Sequence, residues 1–133
     1  MRKFVGFISL ISLLSFIALF CIPGFSYSGE ASLALPEVPV KGMITLVDLG
    51  GEQCPPCRMM APFLRELRTE YEGKVAVGFV DVMKNPDQRQ KFALKAIPTQ
   101  IFYDKEGKEV SRHEGMMDKK DMVAILEKLG VKK

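Results

Sequence analysis

Cys54-Pro55-Pro56-Cys57 sets two consecutive prolines between two cysteines, directly ahead of a segment with helical spacing. Proline inside a helix loses a hydrogen bond and clashes with the preceding turn, but the first-turn N–H groups have no intrahelical partner to lose. The motif therefore fixes a helix start at Pro55, with Cys54 as N-cap and Cys57 three residues on, on the same face and within reach. Just upstream, Met43-Ile44-Thr45-Leu46-Val47-Asp48-Leu49 is a nearly continuous apolar run, the pattern of a strand buried on both faces. Gly50 and Gly51 break it. The cysteine pair thus falls where a buried strand hands over to a helix.

The remaining elements follow from spacing. Met60, Phe63, Leu64, Leu67 and Tyr71 lie on one helical stripe that Gly73 stops, and Pro62 within it predicts a kink. Val75 to Val82 reads as a second buried strand, giving a right-handed parallel strand–helix–strand unit. Asn85 to about Leu94 predicts a shorter polar helix. Thr99 to Tyr103 and Glu109 to Glu114 predict an antiparallel hairpin turning at Glu106-Gly107. A last helix starts near Asp118 and buries Met122, Ile125, Leu126 and Leu129. The order β-α-β-α-β-β-α gives an α/β fold, a mixed central sheet with helices on both faces.

The N-terminus reads differently. Met1-Arg2-Lys3 is basic, and Phe4 to Ile22 holds no charge, long enough as a helix to span roughly 28 Å before Pro23 and Gly24. Residues 1–28 are therefore expected to be a signal peptide or an N-terminal membrane anchor, oriented by Arg2 and Lys3. Both outcomes stay open, since small residues at 26–28 and 31–34 offer cleavage points while the apolar run exceeds a usual signal core. Cys21 follows bulky Phe20, which argues against lipoprotein processing. Residues 29–42, broken by Pro36 and Pro39, form a linker or short edge element, and residues 43–133 form the single domain. The expected location is periplasmic or otherwise extracytoplasmic.

The exported part keeps two cysteines, with two residues between them. A bridge closing so small a loop adds little chain-entropy stability, which favours chemistry over stapling. A structural zinc site needs about four ligands, and beyond the pair only His113 is on offer among Cys and His. Two thiolates binding copper(I) remain an alternative. The positive end of the helix and Arg58 favour a thiolate on Cys54, making it the exposed attacking sulfur and Cys57 the buried resolving one. The chain has 19 Lys and Arg against 16 Asp and Glu, and Arg2 and Lys3 belong to the leader. The remainder is close to neutral, with no basic stripe for nucleic acid.

Taken together, Asp48, Cys54-Pro55-Pro56-Cys57, Pro62 and Ile97-Pro98-Thr99 resemble the thioredoxins in order and spacing from about Met43 to Leu129. The resemblance implies the thioredoxin fold and thiol–disulfide exchange. It makes Cys54 the nucleophile, Cys57 the resolving thiol and Asp48 a buried acid that exchanges a proton with Cys57. It also makes Pro98 a cis-proline, flanked by Ile97 and Thr99, that presents backbone to an extended substrate. No cofactor and no metal are implied, and the partners are protein thiols and disulfides met by a monomer. Gly115 falls near a family glycine. Met59, Met60, Met116 and Met117 are either an apolar rim or plain filler, and His113 reads as solvent-facing.

Two departures matter. Thioredoxins usually carry Trp-Ala-x-Trp before the first cysteine and Gly-Pro between the two, whereas this chain has Gly50-Gly51-Glu52-Gln53, Pro55-Pro56 and no Trp. The glycines imply a more mobile loop. Replacing Gly by Pro55 removes an N–H donor and implies a Cys54 pKa nearer thioredoxin's than a strong oxidant's. The expected activity is a protein-disulfide reductase fed by a transmembrane thiol-relay electron donor, with an oxidase or isomerase, or a copper(I)-binding module, as alternatives.

Overall fold

The computed structural model describes residues 33–133. The apolar run from Phe4 to Ile22 and the boundary at residue 28 lie outside the described residues. Among those described, no helix is long and apolar enough to cross a membrane.

Seven elements follow one another: β1 (Ile44–Gly50), α1 (Pro55–Glu70), β2 (Val75–Asp81), α2 (Asp87–Lys91), β3 (Thr99–Tyr103), β4 (Glu109–Glu114) and α3 (Lys119–Lys128). The sheet order is β2-β1-β3-β4, with β1 and β2 parallel and the other two pairs antiparallel. β1 is central and buried throughout, which is why its sequence is apolar on both faces. Ile44 and Leu46 join Val75, Val77 and Phe102 beneath α1 and α3, packing on Met60, Leu64, Leu67, Met122 and Leu126. Val47 and Leu49 point the other way, to Val82, Phe92, Ile101 and Tyr103 near α2. The alternation of strand side chains thus splits the core into two layers with helices on both faces. Lys119 ties the helices on the first face together through Glu66 and Glu70 of α1.

Two elements differ from the sequence reading. β1 does not break at Gly50 but runs through it, paired with Asp81, and the Gly50 carbonyl accepts from the Val82 N–H at 2.9 Å. α2 is only five residues long instead of spanning Asn85 to Leu94. At its start, Asn85 is held in a turn by the Asp81 carbonyl, and Asp81 Oδ1 accepts from the N–H groups of Met83 and Lys84. At its end Ala93 takes a left-handed φ of 47°, and Leu94 N–H returns to the Arg89 carbonyl. Side-chain-to-backbone bonds and a left-handed residue are the usual terminators of a helical run. Pro62 lies within α1 without ending it.

Residues 33–43 form no strand. The Leu33 carbonyl nevertheless accepts from Phe79 N–H at 2.9 Å, and Leu35 covers Gly78, where an added Cβ would sit 2.3 Å from Leu35 Cγ. Gly78 is therefore bare because a neighbouring segment crosses it. Gly78→Ala is expected to lower stability by about 1–3 kcal/mol in urea denaturation, since the methyl overpacks the contact. The same change should release the Phe79 amide to hydrogen exchange. Unaltered protection there would mean that Leu33–Leu35 does not hold this edge.

Candidate active site

The first turn of α1 forms as its prolines require. Cys54 is the N-cap in extended conformation (φ −87°, ψ 112°), Pro55 and Pro56 occupy the next two positions, and Cys54 Sγ accepts from Cys57 N–H at 3.4 Å. A disulfide joins Cys54 to Cys57, with Cα atoms 5.3 Å apart. The two sulfurs are not equivalent. Cys54 is half-buried, whereas Cys57 is 3% exposed.

Cys57 is enclosed by the end of β1. A Cβ on Gly50 would lie 3.0 Å from Cys57 Sγ and 3.0 Å from the Phe79 ring. No larger residue fits without displacing one of them, so Gly50 is a packing residue and not a hinge. The loop that follows is also held. Asp81 accepts from Glu52 N–H through Oδ2 and from Met83 and Lys84 N–H through Oδ1, and Lys84 pairs with Glu52. Partial burial pushes the Asp81 carboxyl up, but these backbone donors together outweigh it and hold the pKa below the usual carboxylate range.

Asp48 lies two residues before Gly50 on the same face of β1 and is fully enclosed. Burial pushes its pKa from 3.8 to about 6, opposed by one hydrogen bond, from Gln100 Nε2 to Oδ1 at 2.8 Å. Gln100 stands directly across from Asp48 in the β1–β3 register. Oδ2 of Asp48 and Oε1 of Gln100 have no partner. Such a carboxyl can take or release a proton near neutral pH, which is what a thiol attacking a neighbouring disulfide requires.

Ile97–Pro98 is a cis peptide, and the Pro98 carbonyl accepts from Gly115 N–H at 2.8 Å. Thr99 pairs with Leu49, one residue before Gly50. Its side chain is fully buried, with Oγ1 donating to the Ala96 carbonyl at 2.8 Å, and Ile97 packs into the second core layer. Pro98 and Thr99 are thus buried as whole residues, and Ile97 is half-buried. The methionines divide: Met59 and Met116 are exposed, whereas Met60 and Met117 are core. His113 is half-buried, its Nε2 3.0 Å from the Met116 carbonyl oxygen.

Gly50, Asp81, Gln100 and exposed Met83, which lies over Gly51, escaped the sequence reading. Gly50 read as a strand breaker and Gln100 as an ordinary strand residue. A polar amide within an otherwise apolar strand was the available signal. Among the described residues no three His, Cys, Asp or Glu side chains gather as a multidentate metal site would need.

Because the folded state holds the Asp48 proton more tightly than the unfolded chain, its stabilising contribution is full below about pH 4 and is lost as pH rises through 6. Asp48→Asn removes that loss. The stability of the variant relative to the parent is expected to grow by about 3 kcal/mol between pH 3.5 and pH 7.5 in denaturant titrations. A pH-independent difference would show that Asp48 ionises as it does in water.

The thioredoxin family model matches residues 37–128. Thioredoxins of Staphylococcus aureus, strains Mu50 and N315 among them, are 37% identical over 89 residues, which is 67% of this chain and 85% of theirs. A solved structure of a malarial protein superposes with a TM-score of 0.61 at 22% identity, covering 67% of this chain and 99% of that one, a likeness of fold. With the cysteine pair capping α1 and the family match spanning most of the chain, this protein belongs to the thioredoxin family and is a thiol–disulfide oxidoreductase.

Proposed function

We propose that the chain is a protein-disulfide reductase working outside the cytoplasm, where its N-terminal segment exports or tethers it. Cys54 is the nucleophile. Its thiolate attacks a substrate disulfide, forming a mixed disulfide and releasing one substrate thiolate. Cys57 then gives its proton to Asp48, attacks Cys54 and closes the intramolecular disulfide, and the second substrate sulfur leaves with the electron pair. Two electrons reach the substrate, and its two sulfurs take up protons from Asp48 and solvent. The main chain around cis-Pro98, between Ile97 and Thr99, lines the groove for the extended substrate.

The observation that carries the direction is the donor set at Cys54. Pro55 and Pro56 have no N–H, which leaves the Cys57 N–H as the first-turn donor to Cys54 Sγ. A strong oxidant needs a heavily stabilised thiolate in its reduced form, and helix-terminal N–H groups are the means of stabilising one. Stripping two of them leaves a more reducing pair. An exported reductase has no direct access to cytosolic reductant, so its oxidised form requires a transmembrane thiol-relay donor. The uncharged run from Phe4 to Ile22 supports that location.

Equilibration in thiol buffers, read by alkylation mass shift, is expected to give a reduction potential of about −270 mV. A value of about −180 to −120 mV would make the protein an isomerase or oxidase instead. Cys57→Ser should accumulate mixed disulfides in cells, a membrane protein among them. Capture of soluble substrates without any membrane protein would remove the proposed electron donor.

A further inference from the structure

Gln100 has a part in the exchange that its place in β3 alone would not suggest. It faces Asp48 across the sheet, and both side chains are fully enclosed. Its amide nitrogen has two hydrogens and two neighbours, Asp48 Oδ1 at 2.8 Å and Met60 Sδ at 3.4 Å. The amide is thereby fixed in orientation, and Oδ1 of Asp48 is occupied by a donor. Two oxygens are left without partners, Asp48 Oδ2 and Gln100 Oε1. Both are acceptors while Asp48 is ionised, and buried acceptors without donors are unfavourable. One proton on Oδ2 supplies the donor that the pair lacks. A carboxylic acid and a primary amide are complementary in this respect, Nε2–H to Oδ1 and Oδ2–H to Oε1.

We propose that Gln100 is a positioning residue for thiol–disulfide exchange: its amide holds Oδ1 of Asp48 and leaves Oδ2 as the atom that takes the Cys57 proton and later returns it. This rests on the reading of Asp48 given above. The surroundings are otherwise uncharged. Met60 packs from α1, Phe79 is the β2 neighbour in register, and no ion pair or charged side chain contributes to the state of Asp48. The titratable neighbour is Cys57 of α1, seated against Gly50 two residues along the same face of β1. A cation in place of Gln100 would lock the carboxylate in its charged form, and an apolar residue would leave that form unsupported. A neutral amide supports both forms, so the group can change charge within each turnover.

The test uses the full chain in detergent with Gln100→Met, which keeps side-chain length and removes the amide. Carbon-13 NMR of the Asp48 carboxyl should give a midpoint near pH 6 in the parent, moving up by about one pH unit in the variant. The acid limb of the rate of Cys57-dependent resolution should move with it. At pH 6 the rate then falls roughly fivefold, with little change at pH 8.5, because only the ionised fraction has changed. A merely structural role would lower the rate equally at all pH values. Asp48→Asn separates the two ideas. If the limb survives in Asp48→Asn, the role of Asp48 falls and that of Gln100 with it. If the limb vanishes there but does not move in Gln100→Met, Gln100 alone is overturned. Should Gln100→Met fail to fold, the parent decides: its Gln100 side-chain amide nitrogen-15 signal must titrate with the Asp48 midpoint, and a flat response from pH 5 to 7 refutes the proposal.

Discussion

At the end of β1 the backbone of Gly50 meets Cys57 with no space for a side chain between them. The rest of the site follows from that contact. It seals Cys57 while its partner stays half-exposed at the helix cap, so the two sulfurs acquire different accessibilities from one close approach. Asp48 lies two residues earlier on the same strand face, fully enclosed, and burial is the larger cause of that group's raised pKa. The helix can press so closely because Pro55 and Pro56 bring no N–H to its first turn and Cys54 Sγ takes the Cys57 N–H. On the outer side, the Asp81 carboxylate draws three backbone N–H groups inward and fixes the loop that delivers Cys54.

A buried carboxyl that ionises near pH 6 works against the fold at neutral pH. The cost of about 3 kcal/mol is a large fraction of the 5–15 kcal/mol by which small domains are stable. An apolar residue between Val47 and Leu49 would avoid it. The two core layers on either side of β1 are what make the cost tolerable, since each places a continuous set of large side chains against the strand. Gln100 offsets part of it by one N–H and goes no further. A fold built for stability alone would have neutralised Asp48 or left it out, and the arrangement is in keeping with the proton exchange proposed for it.

The fold was legible in the sequence wherever pattern and punctuation agreed. Thr99–Tyr103 and Glu109–Glu114 were bounded by Pro98, the Glu106-Gly107 turn and Gly115, and both strands stand where spacing put them. The start of α1 was fixed by proline chemistry to the residue. α2 was overextended because the polar run from Asn85 to Leu94 has no apolar stripe to mark its ends, while the bonds that close it come from Asp81, outside the window. Gly50 and Gln100 were missed for a related reason. A glycine beside another glycine looks like a break, and its use as a contact surface appears only when Cys57 is folded onto it. Gln100 gains its meaning from strand register, which brings positions 48 and 100 together and which no local spacing encodes.

The same geometry bears on what the surface can recognise. Where thioredoxins usually carry tryptophans before the first cysteine, this chain has Gly50 and Gln53, and Gly50 has no room for a replacement. The apolar area that remains comes from methionines: Met83 lies over Gly51, Met59 follows the cysteine pair on α1, and Met116 follows Gly115, whose N–H is bonded to Pro98. Methionine is flexible and polarisable and conforms to varied apolar partners where tryptophan imposes a shape. With Thr99 turned inward, the groove proposed at Pro98 would read an extended strand through main chain, without regard to its side chains. In the reading proposed here, selectivity among substrates then lies mainly in whether a disulfide can reach Cys54 in extended conformation and in its potential. A site so arranged suits many protein disulfides better than one.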